Sequence, residues 1–258
     1  MTTVPDNSPR SPVERRELAR EVLVQHTTIF LNSTGTNGTA ILATLQQKNK
    51  FFLVTAQHVA SSLEKKGEKW SYRNPALVVR YLDHPPVRAD LGSEAPYSQD
   101  LTLFELHAED AAEMVRLGLR FYDLNTSQYS SDEEYGPDYF IIGTPKSTEF
   151  IANRELNFEI RSAGVNILEE LTVDGDDAPR FVEVEAVKAP NYSGMSGGGL
   201  WEISYPASGG HSFFLVGVVV EEPRELQSTT DSCSSDGPPT IRCTQNNQLK
   251  SWLKGLLP

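Results

Sequence analysis

The sequence is short of cysteine, of basic residues and of long apolar runs, and each shortage excludes something. Only two cysteines, Cys233 and Cys243, occur in 258 residues, too few for the disulfide framework of a small secreted scaffold. They flank a Ser-, Asp-, Gly- and Pro-rich stretch and could close a small loop if oxidised. With no secretory leader in view, reduced thiols are expected, and two cysteines without paired histidines nearby do not make a zinc site. The apolar run Phe213 to Val220 spans eight residues, against the ~20 that a membrane helix needs. The opening Met1-Thr2-Thr3-Val4-Pro5-Asp6 has neither the basic patch nor the apolar stretch of a signal peptide. A cytoplasmic protein without membrane contact is therefore expected. Lys and Arg number 23 against 35 Asp and Glu, a net charge of −12. That balance argues against nucleic acid as a partner, because such binding depends on neutralising phosphates with cations. What remains is an ordinary folding composition, 38% hydrophobic and 22% charged, in a length that suits one large domain or two halves sharing an interface.

Residues 1 to 10 are polar and read as a loose tail. Ser11-Pro12-Val13-Glu14 offers an N-cap serine, a proline at the first helical position and a glutamate for a capping box, which predicts a short helix to about Val22. Three strands should follow as a meander: Val22 to Leu31, then Thr39 to Leu45 after the Gly35-Thr36-Asn37-Gly38 turn, then Phe51 to Thr55 after Lys48-Asn49-Lys50. Further strands are predicted at Ala76 to Leu82, Leu101 to Leu106, Tyr139 to Ile142, Leu156 to Ala163, Phe181 to Ala186, Leu200 to Ser204 and Phe213 to Val220. Short strands separated by turns, with no alternation of long helices, predict an antiparallel all-β architecture. Two short helices are expected within it, Ala56 to Lys66 ended by Gly67 and Glu109 to Leu117 ended by Gly118. Leu249, Trp252, Leu253 and Leu256 recur at helical spacing, so an amphipathic helix should close the chain. Residues 123 to 138, crowded with Ser, Asp, Glu and Pro, read as a connector.

The most unusual segment is Ser193-Gly194-Met195-Ser196-Gly197-Gly198-Gly199, a serine among glycines between two predicted strands. Glycine lets a tight turn aim several N–H groups at one point. Such a turn can expose Ser196 Oγ while the N–H groups of Gly194 and Ser196 form an oxyanion hole, each donor contributing about 2.7–4 kcal/mol. Taken alone, the segment also reads as a plain glycine-rich loop. A nucleophilic serine needs a base. Of His26, His58, His84, His107 and His211, only His58 stands where an apolar strand turns into a short helix, in Thr55-Ala56-Gln57-His58-Val59. The other four read as packed, turn-flanking or hairpin-tip residues. The third member must be a carboxylate that orients the imidazole. Asp100, in Gln99-Asp100-Leu101-Thr102-Leu103, enters an alternating strand straight from a loop.

The order His58, Asp100, Ser196 and the motifs Thr-Ala-x-His-Val, Asp-Leu-x-Leu and Gly-x-Ser-Gly-Gly together resemble the trypsin-like serine peptidases, over roughly residues 22 to 256. The resemblance implies a chymotrypsin-like fold of two packed antiparallel six-stranded β-barrels, with the short N-terminal helix and the C-terminal helix outside them. Residues 1–21 would be the tail and helix, 22–122 the first barrel with His58 and Asp100, and 123–138 the connector. Residues 139–225 would be the second barrel with Ser196 and the oxyanion hole, and 226–258 a Cys-containing loop and the C-terminal helix. Phe140-Ile141-Ile142-Gly143-Thr144-Pro145 looks like the opening of the second barrel in bacterial members. The implied activity is that of a serine endopeptidase cleaving protein or peptide substrates through an acyl-enzyme, with no metal and no cofactor.

Departures from the family pattern carry information too. Met195 stands where zymogen-type members have an acidic residue, and the disulfides of secreted relatives are missing. The chain is therefore more similar to bacterial-type members. The resemblance assigns substrate binding to Pro190, Asn191, Val220, Glu221 and Glu222. Pro190 falls where trypsin carries its acidic pocket floor, so any preference for basic side chains would come from Glu221 or Glu222 at the wall and would be modest. Two other readings compete. Gly194-Met195-Ser196-Gly197-Gly198 fits the nucleophile elbow of serine esterases of the α/β-hydrolase fold, but that fold needs the order Ser, acid, His. A catalytically silent protein-binding module could use the same barrels, and the acidic surface leaves room for a regulatory partner.

Overall fold

The computed structural model describes residues 11–31, 37–64, 71–73, 79–82, 86–88, 100–126, 137–145, 150–152, 155–157, 160–172, 179–186, 194–205, 211–221, 240–245, 249–250 and 253. Gly67, His84, Trp252 and Leu256 lie outside these residues. Ser11 caps the first helix as its neighbours dictate: its side chain accepts from the Glu14 N–H, and the Ser11 N–H donates to the Glu14 carboxylate at 2.7 Å. Helix α1 then spans Pro12–Leu23 and a 3-10 turn spans Val24–His26. The strand expected from Val22 therefore begins only at Thr27. Leu23 and His26 are both buried; a helical turn sets residues three apart on one face, whereas an extended strand would turn them to opposite faces.

Strands β1 (Thr27–Leu31), β2 (Asn37–Leu45) and β3 (Lys50–Ala56) form the expected meander, and helix α2 (Gln57–Glu64) leaves directly from β3. There follow β4 (Ser71–Arg73), β5 (Val79–Tyr81), β6 (Val87–Arg88), β7 (Leu101–Leu106), helix α3 (Ala108–Arg116) and β8 (Tyr122–Asp123). They make one sheet in the order β5-β4-β1-β2-β3-β7-β6, with β8 added parallel to β2. Among the described residues this sheet does not close into a ring.

The second half does close. Strands β9 (Asp138–Gly143), β10 (Phe150–Ala152), β11 (Glu155–Asn157), β12 (Arg161–Thr172), β13 (Pro179–Ala186), β14 (Gly199–Ser204), β15 (Ser212–Glu221) and β16 (Thr240–Gln245) include a barrel in the order β12-β13-β16-β15-β14-β9. Two expectations change here. β16 comes from the segment read as loop and helix, and it completes the barrel between β13 and β15. The strand expected at Leu156 to Ala163 is split: Leu156 belongs to the separate β10–β11 hairpin, and β12 starts at Arg161. β12 is long because it pairs with β9 through Arg161–Val165 and then with β13 through Val165–Thr172, a double duty that closing the ring requires.

Period-two alternation divides the strands between three clusters of buried side chains. In the first sheet Ala40, Leu42, Leu53 and Phe104 pack with Ala60 of α2 and Met114 of α3. In the barrel Ile141, Leu200 and Val219 point inward with Val182, Val184 and Cys243. The alternate residues, Ile41, Phe52, Val54 and Leu103 from the sheet and Phe140, Ile142, Trp201, Val218 and Val220 from the barrel, form one shared core between the halves. Leu249 and Leu253 are helical and buried in that same core, as the terminal helix pattern predicts. Helix α1 precedes the first sheet yet lies on the barrel, where Arg15 pairs with Asp138 at 2.8 Å and stacks over Tyr205. The junction is thus apolar and crossed by chain at both ends. No helix among the described residues is long and apolar enough to cross a membrane.

Candidate active site

Strand register delivers the first two candidate residues. β3 pairs antiparallel with β7 so that Ala56 faces Leu101. His58 follows β3 and Asp100 precedes β7, which puts them at the same edge of the sheet. Asp100 sits in the left-handed region, φ +39°, a conformation that Asp tolerates better than most residues. From there its carbonyl accepts the Gln57 N–H at 2.6 Å and its Oδ1 accepts the His58 N–H at 2.8 Å. Asp100 therefore caps the N-terminus of α2 from across the sheet, where a carboxylate also complements the helix dipole. Its other oxygen, Oδ2, is bonded to His58 Nδ1. That bond holds the proton on Nδ1 and leaves Nε2 as the basic nitrogen. The His58 side chain is 48% exposed and Asp100 23%, so the pair lies at an open edge.

Ser196 arrives from the barrel on a turn. Gly198 N–H donates to Met195 O at 2.8 Å, and Gly197 at the third position has φ +85°, the type II pattern, with Ser196 at the corner. Glycine is required at position 197 twice over: by this φ, and because a Cβ there would collide with Thr39 O and the Thr55 hydroxyl. The turn is clamped from three sides. Val219 of β15 accepts from Gly197 N–H and donates to Gly198 O, both at 2.8 Å. Met195 is buried in the barrel core beside Leu200 and Val219. Thr39 of β2 donates its N–H to Ser196 O at 3.0 Å, and the Thr55 hydroxyl donates to Thr39 O at 2.7 Å. Since Thr55 belongs to the strand that ends just before His58, these bonds bring the serine turn to the His58 edge. Ser196 Oγ is buried and makes no hydrogen bond among the described residues, so the bond to His58 is not formed in this structure. Gly194 also has positive φ, +91°, and its carbonyl takes a bond from the Thr39 hydroxyl at 3.2 Å.

No protein-family model and no curated protein matches the chain. Solved structures do. An inactive serine-to-alanine mutant of Rv3671c from M. tuberculosis H37Rv aligns over 96% of this chain and 94% of its own, with TM-score 0.47 and 14% identity. The HtrA-type protease AlgW with tripeptide aligns over 93% of this chain and 63% of its own, with TM-score 0.48 and 13% identity. Deg5 aligns over 82% and 87%, with TM-score 0.45 and 15% identity. Overlaps this loose say nothing about chemistry; the strand order and the closed six-stranded barrel carry the architecture by themselves. A closed six-stranded barrel packed against an open, half-barrel sheet is a chymotrypsin-like all-β arrangement.

Within that fold the remaining candidates fare differently. Pro190, Asn191 and Glu222 lie outside the described residues. Glu221 ends β15, where its backbone is in register with Arg242. Val220 is 5% exposed and packs in the shared core, so its side chain serves the junction. His107 stands at the N-cap of α3 and His211 is exposed before β15. His26, expected within a strand, is on the 3-10 turn instead, buried against Tyr122, Trp201 and Phe213. Burial pushes its pKa down to about 4. Burial likewise raises the Cys243 thiol above its ordinary range, which leaves it protonated. No group of three metal-binding side chains occurs among the described residues. Sequence reasoning missed Thr39, Thr55 and Thr144, all fully buried. No local signal marks them: Gly38-Thr39-Ala40, Val54-Thr55-Ala56 and Gly143-Thr144-Pro145 read as ordinary strand and turn segments.

Proposed function

We propose that this protein is a serine endopeptidase that hydrolyses peptide bonds with Ser196 as nucleophile, His58 as base and Asp100 as the carboxylate that orients it. The observation that carries this reading is the double grip of Asp100 on His58, at the main chain and at the ring. It leaves Nε2 basic at the edge to which the Ser196 turn is tied. In the reaction His58 Nε2 takes the Ser196 hydroxyl proton as Oγ attacks the carbonyl carbon. The N–H groups of Gly194 and Ser196 stabilise the oxyanion. The proton passes to the leaving amine as the C–N bond breaks. Water then attacks the acyl ester, gives His58 a proton that returns to Ser196, and releases the acid. In resting enzymes the nucleophile–base bond is often long and tightens only with substrate, which is compatible with Ser196 Oγ making no hydrogen bond among the described residues. The resemblance implies Pro190, an uncharged residue, at the position of the acidic pocket floor, so selection for basic side chains is expected to be weak.

The test is labelling with a fluorophosphonate probe and mapping of the modified residue. The expected result is one adduct, on Ser196, lost in Ser196→Ala and His58→Ala. A folded chain that neither labels nor cleaves a peptide library would support the silent binding module instead. Met195 packs as an apolar anchor and needs no charged partner, so labelling should not require prior cleavage near the N-terminal helix.

A further inference from the structure

Two threonines that the catalytic reading leaves unused meet where the halves join. Thr39 lies in β2 of the first sheet, Thr144 follows β9 of the barrel, and both are completely buried. A buried hydroxyl is costly unless it is bonded, and Thr39 uses every polar atom it has. Its N–H donates to Ser196 O at 3.0 Å and its carbonyl accepts from the Thr55 hydroxyl at 2.7 Å. Its hydroxyl accepts from the Thr144 N–H at 2.9 Å, with Gly194 O at 3.2 Å and Thr144 Oγ1 at 3.1 Å. The Thr144 hydroxyl has its own acceptor in Gly38 O at 3.4 Å, which frees the Thr39 proton for Gly194 O. One residue of the first sheet thus grips the serine turn at both Ser196 and Gly194, whose N–H groups are the proposed oxyanion donors. Through Thr55 the same residue is tied to β3, the strand that leads into His58, and Thr55 faces Thr102, near Asp100.

Resting on the serine-peptidase reading, we propose that Thr39, backed by Thr144, is a positioning residue that sets the Ser196 turn against the His58–Asp100 edge. It touches no substrate and acts through Ser196 and Gly194. Main-chain bonds survive any side chain, so the hydroxyl is the testable part. Thr39→Val keeps the shape and leaves the Thr144 N–H and Gly194 O without it. The 194–195 peptide then loses a restraint, and with it the φ and ψ of Gly194 that aim the Gly194 N–H.

The experiment compares wild type with Thr39→Val and Thr39→Ser in steady-state peptide hydrolysis, in fluorophosphonate labelling rate and in thermal melting, with kinetics taken well below the melting temperature. For Thr39→Val the expected result is a kcat about 10–100-fold lower with KM within about threefold, since small misplacements of reacting groups cost rates of that order. Labelling should slow in parallel, and the acid limb of the pH profile should stay in place because His58 and Asp100 are untouched. Thr39→Ser should return kcat to within about threefold of wild type. A folded Thr39→Val with wild-type kcat overturns the proposal, and so does a Thr39→Ser as slow as Thr39→Val. If Thr39→Val does not fold, Thr39→Ala decides: it removes the same hydroxyl from a smaller side chain, should lower kcat about 10–100-fold, and overturns the proposal if folded and fully active. A wild type without hydrolysis sinks the peptidase reading together with this one; an active wild type with an unimpaired Thr39→Val sinks this one alone.

Discussion

The two halves hold their parts of the candidate site by different means. In the first sheet, His58 and Asp100 meet because β3 and β7 are adjacent strands in a fixed register, and the bonds between them are also those that start α2. Secondary structure suffices there. In the barrel, Ser196 stands on a turn that strand pairing alone would not hold in place. It needs Val219 from β15, the burial of Met195, and Thr39 from the other half. A pair set by register should be robust as long as the sheet is folded, whereas a turn set by a clamp should be sensitive to single atoms at the junction.

The largest expected effects remove the chemistry and leave both supports alone. Ser196→Ala should lower kcat by about 10⁶-fold and Asp100→Asn by about 10⁴-fold, with melting temperatures near wild type for Ser196→Ala. Near-normal turnover in either variant would end the catalytic assignment. Next comes the clamp. Gly197→Ala adds a Cβ against Thr39 and Thr55 at a positive φ, and should cost about 2–5 kcal/mol and most of the activity. Gly118→Ala makes the comparison sharp: φ is +92°, but nothing lies within 4 Å of the added Cβ. It should cost only about 1–2 kcal/mol and leave kcat unchanged. Equal losses in urea melts of the two variants would show that the turn is not clamped.

A third prediction concerns the apolar junction. His26 is pushed down to about 4 by burial, below its ordinary value, so the unfolded chain binds a proton first as pH falls. Stability is therefore full above about pH 6.5 and should decline by about 3 kcal/mol as pH drops toward 4. Chemical denaturation at stepped pH should show this slope in wild type and a flatter one in His26→Phe. An identical slope in both would remove His26 from the acid sensitivity of the junction. The smallest effect belongs to the outer cap of α1. Ser11→Ala should cost about 1 kcal/mol in the same denaturation assay, and a loss several times larger would mean that α1 holds the halves together more than its capping geometry implies.

Legibility followed the same divide. Leu101 to Leu106 was readable to the residue because its alternation and flanking turn are local, and the same holds for the capping box at Ser11. Strands that exist only because a ring must close were not readable. β16 is a short, partly polar run after a Pro-rich stretch, and β12 hides its length behind Glu169 and Glu170. Val22 to His26 looked extended from its β-branched residues, yet the buried faces of Leu23 and His26 favoured helix. Of the candidate site, His58, Asp100 and Ser196 could be picked out by residue type, neighbours and order. The threonine clamp could not, since a buried Thr in a strand is chemically silent until its partners are known.

By itself the sequence determined the all-β class, the first helix and most strand positions, and it singled out the three candidate residues, because propensity, period-two burial and turn residues act over a few positions. Only the tertiary structure decided which strand closes the barrel, where His26 packs and what holds Ser196 in place. Those outcomes depend on contacts such as Thr39 with Gly194 and Thr144, more than a hundred residues apart in the chain, and no local pattern encodes a bond whose partner is supplied by the other half of the molecule.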